Sequence, residues 1–272
     1  MPPRERAAVF RGLPASFVMQ ITTFSDKMGA GRCTVAAPYG LEIADDCMLC
    51  KFRTERFFCD LPKATLHAFD ALKYSAAYPG GAILFSEGQM PRGIYLLCRG
   101  RVKLSITAAD GKALILKIAG PGEVLGLHAT VNGTPYEMSA ETLHPCQVNF
   151  VKRDDFLKFL REYADACLKA AEHLGNNCQT AYEQIRSLGL SHSAREKLAR
   201  VLLEWSANGE STREGWRVKL AMTHEEIAQM IGTSRETVTR ILAEFRTKQL
   251  AVIKGSNLLI RNRAGLERMI AG

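Results

Sequence analysis

Two groups of residues in this 272-residue chain have the types and spacings that chemistry requires. The first is Cys47-x2-Cys50-x8-Cys59. A CxxC pair lets two thiolates grip one metal ion or cluster, and four thiolates complete either a zinc site or a [4Fe–4S] cluster. A redox dithiol at Cys47 and Cys50 would need no metal at all. The second group is Arg235, Glu236, Thr239 and Arg240. Arginine can donate two bonds to guanine O6 and N7, and glutamate can accept from cytosine N4, each good bidentate pair discriminating by about 1–3 kcal/mol. Thr233 and Ser234 suit phosphate at a helix N-terminus, and Lys254 and Arg261 suit it on a flanking hairpin.

The second group needs a helix to present it. The stretch Thr223–Thr247, THEEIAQMIGTSRETVTRILAEFRT, holds two helix starts ten residues apart. Thr223 with Glu226, and Thr233 with Glu236, each have capping-box spacing, and Gly232 stands where a tight turn needs it. This predicts a helix-turn-helix whose second helix enters a DNA major groove. Val238, Ile241, Leu242 and Phe245 recur at i, i+3, i+4, i+7 and should face the core. Ala251 to Arg261 alternates enough for a hairpin turning at Lys254–Asn257, which would make the unit winged.

Upstream, Leu160, Ala164, Cys167, Ala171, Leu174, Cys178, Ala181, Ile185 and Leu188 step by 4 and 3 without interruption. This predicts a long helix over 154–190 that pairs with a second copy as a parallel coiled coil, or packs on its own domain. Gly175 costs it about 1 kcal/mol of intrinsic helix stability. From Tyr74 to Val151, short β-branched and aromatic runs alternate with Gly and Asp-Gly turns, as in an all-β sandwich or barrel. Asp110-Gly111 reads as a hairpin turn. Leu61–Leu72 reads as a short helix, and Met1 to about Asp46 as a flexible or weakly folded extension. The expected division is an extension with the cysteines (1–60), a β-domain (61–153), a dimerisation helix (154–190) and a winged helix-turn-helix (191–272).

Net charge is +8, and residues 191–272 carry 14 Lys+Arg against 9 Asp+Glu, so most of the excess lies around the helix-turn-helix. A basic unit suits a polyanionic partner. No apolar run reaches 18 residues and MPPRERAAVF lacks a signal-like core, so a cytoplasmic protein without membrane partners is expected. In that reducing compartment eight cysteines should not form a disulfide framework. Walker, nucleophile-elbow and zincin patterns are absent, so no enzyme is expected. An iron–sulfur electron-transfer protein would leave the basic C-terminal unit unexplained.

The order of these parts, with GTSRETVTRIL at Gly232–Leu242 and PGEVLGL at Pro121–Leu127, resembles the Crp/Fnr family of bacterial transcription regulators over roughly Cys47 to Gly272. The resemblance implies an α+β fold: a β-roll like the cyclic-nucleotide-binding domain, a long dimerisation helix and a C-terminal winged helix-turn-helix. It implies a homodimer on a palindromic operator in double-stranded DNA, in contact with RNA polymerase, and it places Arg235, Glu236 and Arg240 at base-reading positions. In nucleotide-binding relatives a glutamate and an Arg-Ser/Thr pair hold the ligand. Leu127 and Met138 stand there instead, so cAMP is not expected. The cysteines resemble the oxygen-sensing, Fnr-like branch, which implies a [4Fe–4S] cluster on Cys47, Cys50, Cys59 and Cys146. The x8 gap is wider than that branch's, which leaves zinc or thiol chemistry open. Cys98, in the apolar run IYLLC, reads as core, with the option of standing in as a ligand.

Overall fold

A computed structural model describes residues 38–51, 57–190, 193–207, 209–219 and 222–271. Cys33 and most of the expected extension lie outside them. The chain first forms a 3-10 turn at Pro38–Gly40 and a second at Phe57–Asp60, then helix α1 (Lys63–Leu72). Eight strands follow: β1 (Tyr74–Tyr78), β2 (Ile83–Phe85), β3 (Gly93–Arg99), β4 (Val102–Thr107), β5 (Ala113–Ala119), β6 (Val124–Leu125), β7 (Ser139–Thr142) and β8 (Cys146–Lys152). A short helix, α2 (Leu127–Asn132), interrupts them. They form two four-stranded sheets, ordered β1-β8-β3-β6 and β2-β7-β4-β5. Asp110-Gly111 turns β4 into β5, with Gly111 at φ 84° and the Asp110 carboxylate accepting from the Lys112 N–H.

Period-two alternation gives the first sheet two different faces. Leu97, Cys146 and Val148 point into the roll, where they pack with Phe85, Leu125 and Ala140. Ile94, Leu96 and Val151 point outward into a second core with Phe58, Leu66, Phe69, Phe156 and Phe159. In that outer core the Phe58 ring stacks on Phe69 at 5.3 Å and meets Phe156 edge-on at 5.7 Å.

Helices α3 (Arg153–Glu162) and α4 (Ala164–Leu190) correct the expected single helix. Tyr163 between them is extended, at φ −120° and ψ 101°. Phe156 and Phe159 anchor α3 in the outer core, so Leu160 belongs to the roll-facing helix and not to the long one. On α4, Ala166, Ala170 and His173 are buried against the roll. Ala164, Cys167, Ala171, Cys178, Ala181 and Ile185 are exposed in the single chain, Ile185 by 68%, while Leu174 is half-buried against the outer core. The Leu188 side chain lies outside what is described.

The C-terminal unit comprises α5 (Ala194–Ser206), β9 (Glu210–Thr212), β10 (Gly215–Lys219), α6 (His224–Ile231), α7 (Arg235–Thr247), β11 (Ala251–Lys254), β12 (Asn257–Ile260) and α8 (Arg263–Ala271). The expected two-stranded wing is part of a four-stranded sheet, β11-β12-β10-β9. Its core is separate, built from residues such as Leu198, Ile227, Val238, Ile241, Phe245 and Leu258. Helix α6 lies against β5 of the roll.

Part of the expected extension is also ordered. Ala44 and the buried side chain of Gln147 exchange two hydrogen bonds, at 3.0 and 2.6 Å, and Arg99 donates to the Glu42 carbonyl at 3.2 Å. Residues 38–51 therefore form an arm seated on the outer face of β8 and β3.

Candidate nucleic-acid interface and metal centre

Helix α6 starts with a complete capping box. The Thr223 hydroxyl accepts from the Glu226 N–H at 3.2 Å, and the Glu226 carboxylate accepts from the Thr223 N–H at 2.8 Å. Gly232 ends the helix at φ 65°, a conformation open to glycine, and returns its N–H to Ala228. The second start differs from expectation. Ser234, not Thr233, caps α7, its hydroxyl accepting from the Thr237 N–H at 3.3 Å. The Glu236 carboxyl is held below its usual range by its own backbone N–H and by Ser234. It therefore folds back on the helix start and does not complete a second box.

Val238, Ile241, Leu242 and Phe245 are buried, which leaves Ser234, Arg235, Glu236, Thr239 and Arg240 exposed on one edge. Thr239 is engaged: its hydroxyl donates to the Arg235 carbonyl at 2.9 Å and meets His224 Nδ1 at 2.9 Å. His224, which the sequence did not single out, thus ties α6 to the exposed edge of α7. Lys254 is exposed at the wing turn, and Arg261 donates to Gln249. With Arg217 they line a groove on the face of the wing sheet.

The cysteine site is assembled from three places. Cys47 and Cys50 stand on the arm, Cys59 in the Phe57–Asp60 turn and Cys98 on β3, and all four line one narrow cavity beside Phe69 and Asn149. Cys146 is not among them. It is one of the β8 residues that face the roll interior, its thiol donating to the carbonyls of His144 at 3.1 Å and Arg101 at 3.3 Å. Strand parity puts the backbone of β8 between Cys146 and the cavity, which corrects the expected grouping.

Burial pushes the Cys98 thiol up to about 12, and the neighbouring Cys59 and Cys50 add to the rise. Burial likewise pushes Cys47 well above the ordinary thiol range; Lys73 opposes this, and the Asp70 carboxylate adds to it. The Cys47 and Cys98 thiols are therefore neutral here, and metal loading would have to release their protons. Lys73, whose side chain is only 4% exposed, pairs with Asp70 at 3.1 Å. Its charge favours the thiolate form of both Cys47 and Cys98. Among the described residues no three His, Cys, Asp or Glu side chains converge as a single bound ion would require. Four cysteines around one cavity are the donor set that a [4Fe–4S] cluster would need. The cavity admits little beyond a water-sized sphere, so a cluster would have to part its walls, two of whose sulfurs ride on the arm.

A two-sheet roll, a long helix and a winged helix-turn-helix with an exposed basic edge define a β-roll domain joined to a DNA-binding unit. Residues 76–163 match the family described as cyclic nucleotide-binding domain, and residues 196–269 match the Crp-like helix-turn-helix domain, between them more than half of the chain. The chain belongs to the Crp/Fnr family and is a Crp-like DNA-binding transcription regulator. It is 27% identical to the CRP-like cAMP-activated global transcriptional regulator of Mycobacterium tuberculosis over 70% of this chain and 85% of that one. It is 29% identical to the transcriptional activatory protein AadR of Rhodopseudomonas palustris over 71% and 80%. The fold is shared with FixK2 from Bradyrhizobium japonicum, at TM-score 0.65 and 23% identity over 74% of this chain and 98% of that one. Family members are transcription regulators, not enzymes, and Crp-like regulators bind DNA and act as dimers. No helix among the described residues is long and apolar enough to cross a membrane.

Proposed function

We propose that this chain is a homodimeric regulator of a palindromic operator, controlled by redox or oxygen through an iron–sulfur cluster held at Cys47, Cys50 and Cys59. The observation that carries the sensor reading is the cavity in which arm and roll bring cysteines together. Its wall belongs to the outer core, which also holds Ala166 and Ala170 at the start of α4. When bound, a [4Fe–4S] cluster supplies oxygen-sensitive redox chemistry. The chain's own residues do the rest. The cysteines bind, Asp70 and Gln147 hold the arm, and the outer core joins the arm to the helix whose free stripe would pair the protomers. Changing how the arm seats therefore biases the helix that sets the spacing of two recognition helices. On the operator, Arg235 and Arg240 read guanines and Glu236 reads cytosine, with Thr239 beside them. Thr233, Ser234, Lys254 and Arg261 contact phosphate, and RNA polymerase is the family-implied partner.

A cyclic-nucleotide reading is supported by the names of relatives but not by the pocket residues here. Leu127 is buried in the outer core, and Met138 packs in the roll. Tyr136 stacks on Phe85 at 4.0 Å and donates to the Gly93 carbonyl at 2.8 Å, filling the interior. A nucleotide phosphate would find Met138 where it needs a cation, with the negative charge of Glu137 beside it. The test is to purify the full chain with and without air and compare iron, sulfide, visible absorbance and operator affinity. Colourless, iron-free protein from strictly anaerobic cells that binds its operator fully would overturn the cluster reading. A cAMP-dependent rise in that affinity would establish the alternative.

A further inference from the structure

The cluster reading leaves the fourth ligand open, because Cys146 faces the wrong side of its sheet. We infer that Cys98 supplies it, and that Asn149 completes the site by hydrogen-bonding to two of the four sulfurs. This rests on the cluster reading above and deepens it.

Three observations on the strands lead there. Cys98 shares the outward face of β3 with Ile94 and Leu96, whereas Cys146 shares the inward face of β8 with Val148. The ladder between β3 and β8 shifts register between Leu97 and Arg99, with Cys98 at the irregularity. Such bulges re-aim side chains beside functional sites. The Cys146 sulfur is also locked in place. A Cβ on Gly100, whose φ is +98°, would come within 2.3 Å of it, so only glycine leaves it room.

Asn149 belongs to the same site: it is 1% exposed, lines the cavity and turns its donors toward the sulfurs. Its Nδ2 donates to the Cys47 sulfur at 3.8 Å, and its backbone N–H bonds to the Cys98 sulfur. Hydrogen bonds to the sulfurs are one of the means by which a protein tunes an iron–sulfur centre. Lys73, buried beside Cys47 and Cys98, gives the net negative charge of a thiolate-ligated cluster a nearby cation. With Cys47, Cys50 and Cys59, Cys98 brings the sulfur count to one for each iron.

The experiment compares wild type, Cys98→Ser and Cys146→Ala as full chains, purified without oxygen. Iron and sulfide per chain, visible absorbance and the melting curve of each iron-free form are measured. The expected result is a loaded wild type, a Cys98→Ser variant whose iron and sulfide fall at least ~10-fold, in line with loss of a metal-site group, and a Cys146→Ala variant that stays loaded. Iron-free Cys98→Ser should melt with iron-free wild type, which separates lost ligation from lost folding. Full loading of Cys98→Ser, or loss of loading in Cys146→Ala with its iron-free melting intact, would overturn the assignment while leaving the cluster reading in place. A wild type without iron and sulfide, or with zinc in their stead, would overturn the cluster reading and this assignment with it.

Discussion

The recognition helix and the cysteine cavity are built in opposite ways. Everything that shapes the edge of α7 lies within 25 residues: a capping box, a left-handed glycine and one helical stripe. The cavity takes its cysteines from the arm, a 3-10 turn and strand β3, with up to 51 positions between Cys47 and Cys98. Local construction leaves its function in a short string of letters. Non-local construction hides it in the parity of a strand and the place of a bulge.

The comparison is tested hardest by Phe58→Ala. Phe58 is fully buried at the centre of the outer core, so the truncation should cost about 3–5 kcal/mol there. Both tryptophans, Trp205 and Trp216, pack in the separate C-terminal core. The roll transition seen by far-ultraviolet circular dichroism should drop in denaturant midpoint while tryptophan fluorescence moves much less. Transitions that stay superimposed would show the two regions to be one cooperative unit. Arg235→Ala is the converse cut. It should lower operator affinity by about 1–3 kcal/mol per half-site in gel retardation, leaving weak, salt-sensitive binding and unaltered melting. Unchanged affinity would remove Arg235 from the reading edge.

Much of the fold was legible because its signals are periodic. The stripe Val238, Ile241, Leu242, Phe245 requires a helix with one buried face, and α7 has it. Asp110-Gly111 marks a hairpin by its φ requirement. What was not legible depends on tertiary contact. The 4-3 spacing runs straight through Tyr163, yet the helix breaks there, because Phe156 and Phe159 are held by rings from elsewhere in the chain. Thr233 and Ser234 are both good caps, and only the backbone geometry chooses Ser234. Cys146 matched a resemblance by position along the chain but not by face. One sequence clue did exist: on a strand, Cys146 and Val148 share a side, and the buried polar Gln147 and Asn149 share the other.

Two smaller effects sharpen the picture of the arm. Gln147→Ala would leave the Ala44 N–H and carbonyl without their partner, at a cost of about 1–3 kcal/mol. Limited proteolysis should then cut within residues 38–51 sooner, with operator contacts by α7 unaffected in the reduced protein. Asp70 gives the smallest effect. Burial pushes its carboxyl up, but the Cys47 backbone N–H and Lys73 outweigh that and hold it below its usual range. A depressed carboxylate stabilises the fold fully above its unfolded value and loses that contribution as pH falls through the lower folded value. Hydrogen-exchange protection of the Cys47 amide should therefore persist through neutral and mildly acid solution and fade only in stronger acid. Protection already lost near neutral pH would remove Asp70 from this role.

The paired bonds between Ala44 and Gln147 have a consequence for assembly. They seat the arm by protein contacts alone, without calling on any metal. Cys47 and Cys50 thus wait beside Cys98 at the high effective concentration of tethered neighbours. The ordering entropy has largely been met during folding, so if the proposed cluster binds, the metal-free chain would already hold a template for it.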